Sequence, residues 1–292
     1  MPGTPALPPG RPIVLPGRGT TFVRQVAGPP GAATVLLLHG WTVTADLNWF
    51  ACYEELGRRF NVVAMDHRGH GRGISSRRPF RLEDCADDAA DLAAELGLGA
   101  VIPVGYSMGG PVAQLLWLRH RTRVAGMVLS ATGRSLSGTS GSDRMYFRSL
   151  LGLSVASRIA PPAVRRHLAG AFARRRMQGS DLAGWGTEEL ERNNPSAVLQ
   201  AGWAIGQFRS HDWIGGIDVP TAVVITTGDQ VVSPARQRRL AEAIPGARVF
   251  EADGDHGSCV TDPARYLPAL VDACSYVAER AGFAVPAGAA DA

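Results

Sequence analysis

A short apolar run, Val101–Val104, passes directly into Gly105-Tyr106-Ser107-Met108-Gly109, and a helical pattern starts at once from Gly110 through Ala113, Leu115, Leu116 and Leu118. No other segment constrains the fold as much, because strand, tight turn and helix follow one another without a spacer. A serine at the apex of such a turn must take an unusual backbone conformation, and glycines on either side leave room for neighbouring chain to pass close by. The geometry holds a hydroxyl clear of the sheet, with a helix N-terminus beneath it that favours developing negative charge.

The same rhythm runs through most of the chain. Strands are expected at Ala33–Leu38, Val62–Met65, Val101–Val104, Val124–Ser130, Ala222–Thr226 and Arg248–Glu251. Helices are expected at Leu47–Arg59, Leu82–Leu96, Pro234–Ile244 and Pro263–Arg280. Continuously apolar strands alternating with helices predict an α/β fold with a mostly parallel central sheet covered on both faces. The rhythm breaks between Arg134 and Asp212, where the apolar stretches Tyr146–Ile159, Ala163–Phe172 and Ala197–Phe208 are helical in pattern. A helical cap over 134–212 is therefore expected between two core segments, 21–133 and 213–282. Residues 1–20 are expected to be a flexible Pro/Gly-rich arm, and 283–292 a loose tail.

Composition excludes several function classes. All 30 basic residues are arginine, against 26 acids, for a net charge of +4. Eight of the arginines and one acid, Asp143, fall between positions 140 and 180. That makes the cap basic, either as the solvated face of its helices or as a face for acidic substrates or an anionic membrane surface; Phe147, Leu150, Leu151, Leu153 and Val155 would supply a lipid-facing helix. No arginine–aromatic repeat of the kind used to bind single-stranded nucleic acid is present, so nucleic acid is not an expected partner. Cys52, Cys85, Cys259 and Cys274 lack metal-ligand spacing and read as buried thiols. No apolar run reaches the 18 or more residues of a membrane span, and the proline-punctuated N-terminus is unlike a signal peptide. The expected location is cytoplasmic.

Five motifs in order, Leu38-His39-Gly40-Trp41, Asp66-His67-Arg68-Gly69-His70-Gly71, Gly105-Tyr106-Ser107-Met108-Gly109, Gly228-Asp229 and Asp255-His256-Gly257, give the chain a resemblance to the α/β-hydrolase fold superfamily over roughly residues 20 to 282. The resemblance implies that the cap enters after the sixth strand. It implies Ser107 as nucleophile, His256 as base and Asp229 as the acid orienting it, with Asp255 the rival carboxylate. It also implies an oxyanion hole of the Trp41 and Met108 backbone N–H groups, whose side chains would then shape the substrate pocket. The Asp66–Gly71 turn is expected to be a structural buttress. No cofactor or metal is implied, and the expected substrate is a small acyl compound. The resemblance places it among small esterases and lipases. Thioesterases, acyltransferases, C–C hydrolases, cofactor-free haloperoxidase-like enzymes and hydrolase-like small-molecule sensors share the framework. Oligomeric state is not implied.

Overall fold

A computed structural model describes residues 4–137, 141–177 and 182–286. Eight strands form one sheet in the order β1-β2-β4-β3-β5-β6-β7-β8. They are β1 (Gly10–Leu15), β2 (Gly19–Val26), β3 (Thr34–Leu38), β4 (Asn61–Met65), β5 (Ile102–Tyr106), β6 (Met127–Ser130), β7 (Thr221–Thr226) and β8 (Arg248–Ala252). The strands from β3 onward pair in parallel, whereas β1 and β2 form an antiparallel hairpin on the edge. Side chains alternate across the sheet as a strand requires. Leu36, Leu38, Val63, Met65, Leu129 and Val223 join one buried cluster, while Val35, Leu37, Val62, Ala64, Val128 and Val224 join another.

Helices α3 (Leu82–Glu95), α4 (Gly109–Arg119) and α9 (Pro234–Ala243) cover the first face; α1 (Ala45–Trp49), α2 (Tyr53–Gly57) and α11 (Pro263–Arg280) cover the second, with the single turn α10 (Ser258–Thr261) leading into α11. Four further helices, α5 (Gly141–Ile159), α6 (Pro162–Met177), α7 (Ala183–Glu191) and α8 (Pro195–Gln207), intervene between β6 and β7. Helix α5 packs on α8 and α6 on α7. None of the described helices is long and apolar enough to cross a membrane.

Several expectations need correction. The expected N-terminal arm is instead largely the hairpin β1–β2: only Ile13 and Leu15 of β1 are buried, so its alternation is hidden among Gly10, Arg11 and Pro12. An edge strand tolerates that proline, which has no N–H to donate, because only one side of such a strand has a neighbour to pair with. The helix expected over Leu47–Arg59 is two short ones, and α7 was not expected at all. Val124 makes only an isolated bridge to Val101, ahead of β6. At the C-terminus Phe283 and Val285 pack against the second cluster; residues 287–292 of the expected loose tail lie outside the described residues, as do 1–3.

The strand order reverses between β3 and β5, since β3 leads to β4 on one side and β5 lies on the other. At such a switch point the loops leaving the two strands diverge and open a crevice. Leu38 pairs with Gly105, so the loop starting at His39 and the turn carrying Ser107 leave the sheet side by side.

Candidate active site

Ser107 sits at the end of β5 with φ of 51°, in the left-handed region that non-glycine residues rarely occupy. Steric crowding explains both flanking glycines. A Cβ on Gly105 would lie 2.3 Å from the Gly109 carbonyl oxygen, and one on Gly109 would lie 2.0 Å from that of Leu38. Gly109→Ala should therefore force the turn away from β3, lowering stability by about 1–3 kcal/mol in urea unfolding.

The motifs after β7 and β8 bring two further side chains to the serine. His256 Nε2 lies 2.9 Å from Ser107 Oγ, and His256 Nδ1 lies 2.7 Å from Asp229 Oδ2. The Asp229 carboxylate is buried and saturated. Its Oδ1 accepts from the N–H groups of Val231 (2.7 Å) and Val232 (2.8 Å); Oδ2 also accepts from Thr226 Oγ1 (2.9 Å) and Gln237 Nε2 (3.1 Å). Asp255 is exposed and turns back to accept from the Gly257 N–H at 2.7 Å, away from the ring. The Tyr106 hydroxyl donates to the His256 carbonyl at 2.8 Å and so ties the histidine loop to the end of β5. Sequence reasoning did not find Tyr106, Gln237 or Thr226, because their roles rest on contacts between distant segments.

Among the described residues nothing accepts from the backbone N–H of Trp41 or of Met108, which leaves two donors beside the serine. The loop that carries Trp41 is held from three directions. Gly40 N–H donates to Asn48 Oδ1 (2.8 Å), Trp41 Nε1 donates to the Val198 carbonyl on α8 (2.7 Å), and Asn193 Nδ2 donates to the Thr42 carbonyl (2.6 Å). Asn193 Oδ1 meanwhile accepts from the Gly71 N–H at 2.8 Å, so one side chain bridges the loops after β3 and β4.

A cavity of about 550 Å³ opens over Ser107 and His256. Trp41, Val43 and Leu47 form its core side, Met177, Leu182 and Leu190 reach it from the α5–α8 insert, and Val260 and buried Cys259 close it near the histidine. Among the described residues, no Asp, Glu or Arg side chain is in its lining. The Met108 side chain, expected on this wall, is fully buried in the first core cluster instead. It follows the turn into α4, where the helix faces the sheet, so only its backbone faces the serine.

Beneath the Trp41 loop lies the Asp66–Gly71 turn. Asp66 accepts from the N–H groups of Ala45 (2.8 Å) and Arg72 (2.9 Å), and burial raises its pKa to about 6. Arg68 pairs with Asp88 through two 2.7 Å bonds. The rings of His39, His67 and His70 cluster there, fully buried. Burial lowers His67 to about 3 and His70 to about 4, and pushes His39 well below its ordinary value. His39 Nδ1–H donates to the Gly40 carbonyl (2.8 Å) while its Nε2 accepts from the His67 backbone N–H (2.9 Å), so a neutral ring buttresses the Trp41 loop. Among the described residues, neither these rings nor any other three His, Cys, Asp or Glu side chains are arranged so that they could hold a metal ion.

Comparison with known proteins agrees with this architecture. The profile of the family described as alpha/beta hydrolase fold matches residues 33–263. A non-heme haloperoxidase of Rhodococcus erythropolis is 28% identical over 241 residues, 78% of this chain and 87% of that protein. A pimeloyl-[acyl-carrier protein] methyl ester esterase of Chromobacterium violaceum is 27% identical over 252 residues, 82% of this chain and 92% of that protein. The crystal structure of an enol-lactonase from Burkholderia xenovorans superposes with a TM-score of 0.76 at 23% identity, covering 91% of this chain and all (100%) of that one.

Proposed function

Because this chain belongs to the α/β-hydrolase fold family, we propose that it is a serine hydrolase that cleaves a carboxylic ester or related acyl bond through Ser107, His256 and Asp229. The observation that carries the reading is the continuous chain from Ser107 Oγ through both nitrogens of His256 to a buried carboxylate. A serine hydroxyl is a weak nucleophile until a neighbouring base takes its proton. In the proposed reaction His256 Nε2 accepts that proton as Oγ attacks the carbonyl carbon. The Trp41 and Met108 N–H groups receive the developing oxyanion, without having to turn from another acceptor. The tetrahedral species then expels the leaving alcohol, which takes the proton back from Nε2. Water, deprotonated by the same nitrogen, attacks the acyl-serine and releases the acid. Asp229 keeps Nδ1 protonated throughout and stabilises the imidazolium.

The cavity lining narrows the substrate. Against the described lining residues an ionic group would lose its hydration and find no counter-charge, at a cost of several kcal/mol. Chromogenic esters of neutral acyl chains should therefore turn over at least about tenfold faster than half-esters of dicarboxylic acids of equal length. Absence of turnover across a neutral series, with tight binding of the same esters, would favour a small-molecule sensor over an enzyme. The haloperoxidase relative supports one second reading, in which hydrogen peroxide replaces water as acyl acceptor and a peracid leaves. Product analysis with and without peroxide separates the two.

Asn193 should matter to rate more than to binding, since it holds the Thr42 carbonyl beside the proposed oxyanion donors and does not line the cavity. Asn193→Ala is expected to lower kcat about tenfold, the worth of one well-placed hydrogen bond, with little change in KM for a neutral ester.

A further inference from the structure

Of the twelve large hydrophobic side chains that stand exposed among the described residues, nine lie on α5 and α6: Met145, Tyr146, Leu151, Leu153, Val155, Ile159, Val164, Leu168 and Phe172. The inner face of α5 is already satisfied. Phe147 lies against Gly206 and Leu150 against Gly202 of α8, and both would clash with any side chain there. Its outer arc is nonetheless apolar, with Met145 73% and Ile159 82% exposed. On α6, Val164, Leu168 and Phe172 follow at four-residue steps along one exposed stripe, while Ala173 and Met177 turn inward. Exposed apolar area this concentrated marks an interaction surface.

We infer that the α5–α6 face docks on an anionic lipid bilayer, lying in its interface. Charge and shape both select this occupant. The segment from 140 to 180 carries eight arginines and one acid, so two copies brought face to face would repel, whereas an acidic headgroup layer attracts. Apolar positions spread over most of the outer arc of α5 suit a fluid apolar medium better than the single ridge a protein groove accepts. Arginine heads can remain at headgroup level while their stems lie on apolar surface. Helix α6 ends in Met177, on the wall of the cavity over Ser107, so the docked face adjoins the mouth through which an acyl chain would enter. The inference extends the proposed function, but the binding itself does not depend on turnover.

The test is co-sedimentation of the full chain with phosphatidylcholine vesicles, with and without phosphatidylglycerol, at low and high salt. Binding should require phosphatidylglycerol and weaken steeply with salt. The variant Ile159→Ser/Leu168→Ser/Phe172→Ser and the variant Arg148→Gln/Arg175→Gln should each lower the partition coefficient at least about tenfold. All five side chains are exposed and lie away from the cavity, so thermal unfolding and turnover of a soluble ester should be unchanged. Equal partition to neutral and acidic vesicles, no partition, or full retention by either variant overturns the inference. So does a dimer that the apolar triple variant abolishes while vesicle binding is absent, which would assign the face to a second copy.

Discussion

Asp229→Asn is expected to lower kcat for a neutral ester by about 10⁴-fold while the chain stays folded. The magnitude follows from the hydrogen bonds around the carboxylate. Oδ1 accepts two backbone N–H groups, those of Val231 and Val232, which cannot reverse their polarity. An asparagine must therefore place its carbonyl oxygen there, and its NH₂ falls where Oδ2 now meets His256 Nδ1, Thr226 Oγ1 and Gln237 Nε2. To avoid opposing donors, His256 must accept at Nδ1 and carry its proton on Nε2. In that tautomer the ring cannot take the Ser107 proton. Steady-state kinetics of the purified variant checks this, with Ser107→Ala expected to lose at least about 10³-fold. Near-normal kcat in Asp229→Asn would remove Asp229 from the proposed mechanism.

The second large effect concerns acid. Unfolding free energy is expected to fall by about 3 kcal/mol per pH unit between about pH 6 and about pH 4. His39, His67 and His70 have folded pKa values below their unfolded value, so their contribution is present above about 6.5 and is lost as pH falls. Each takes up a proton on unfolding in this window. Asp66 acts in the opposite sense: raised to about 6 in the fold, it is protonated there and releases a proton on unfolding. Three protons gained and one lost leave a net uptake of two, at about 1.4 kcal/mol per pH unit each. The histidines resist charging for concrete reasons. A second N–H on His39 would point at the His67 N–H, and neither ring nitrogen of His67 has a partner among the described residues. Urea unfolding at a series of pH values measures the slope. His70→Gln should reduce it by one proton whatever its effect on absolute stability; a flat profile would show these rings to be solvated and chargeable.

Local pattern made the core legible. The central strands are short unbroken apolar runs, and the residues now found at their C-terminal ends (Trp41, Ser107, Asp229 and His256) stand in compact motifs beside them. What stayed hidden depends on partners far away in the chain. Nothing near Tyr106 shows that its hydroxyl will meet the carbonyl of residue 256, and Asn193 is one asparagine in a loop until Thr42 and Gly71 approach it. The β1–β2 hairpin was obscured by proline and glycine, since an edge strand with one face in solvent needs few apolar residues. Phe147 and Leu150, grouped by sequence with Leu151, Leu153 and Val155, face the opposite way because the glycines of α8 admit them. A helix with apolar residues on both faces does not declare from sequence which one is covered.

The central claim is that His256 and Asp229 activate Ser107 as a nucleophile, and covalent labelling tests it most directly. The protein would be treated with a serine-directed fluorophosphonate and examined by intact-mass and peptide-mapping mass spectrometry. The account predicts a single phosphonyl adduct on the peptide containing Ser107, absent from Ser107→Ala and formed far more slowly in His256→Ala. An adduct on another residue, or labelling of Ser107 that is unchanged when His256 is replaced, would contradict it.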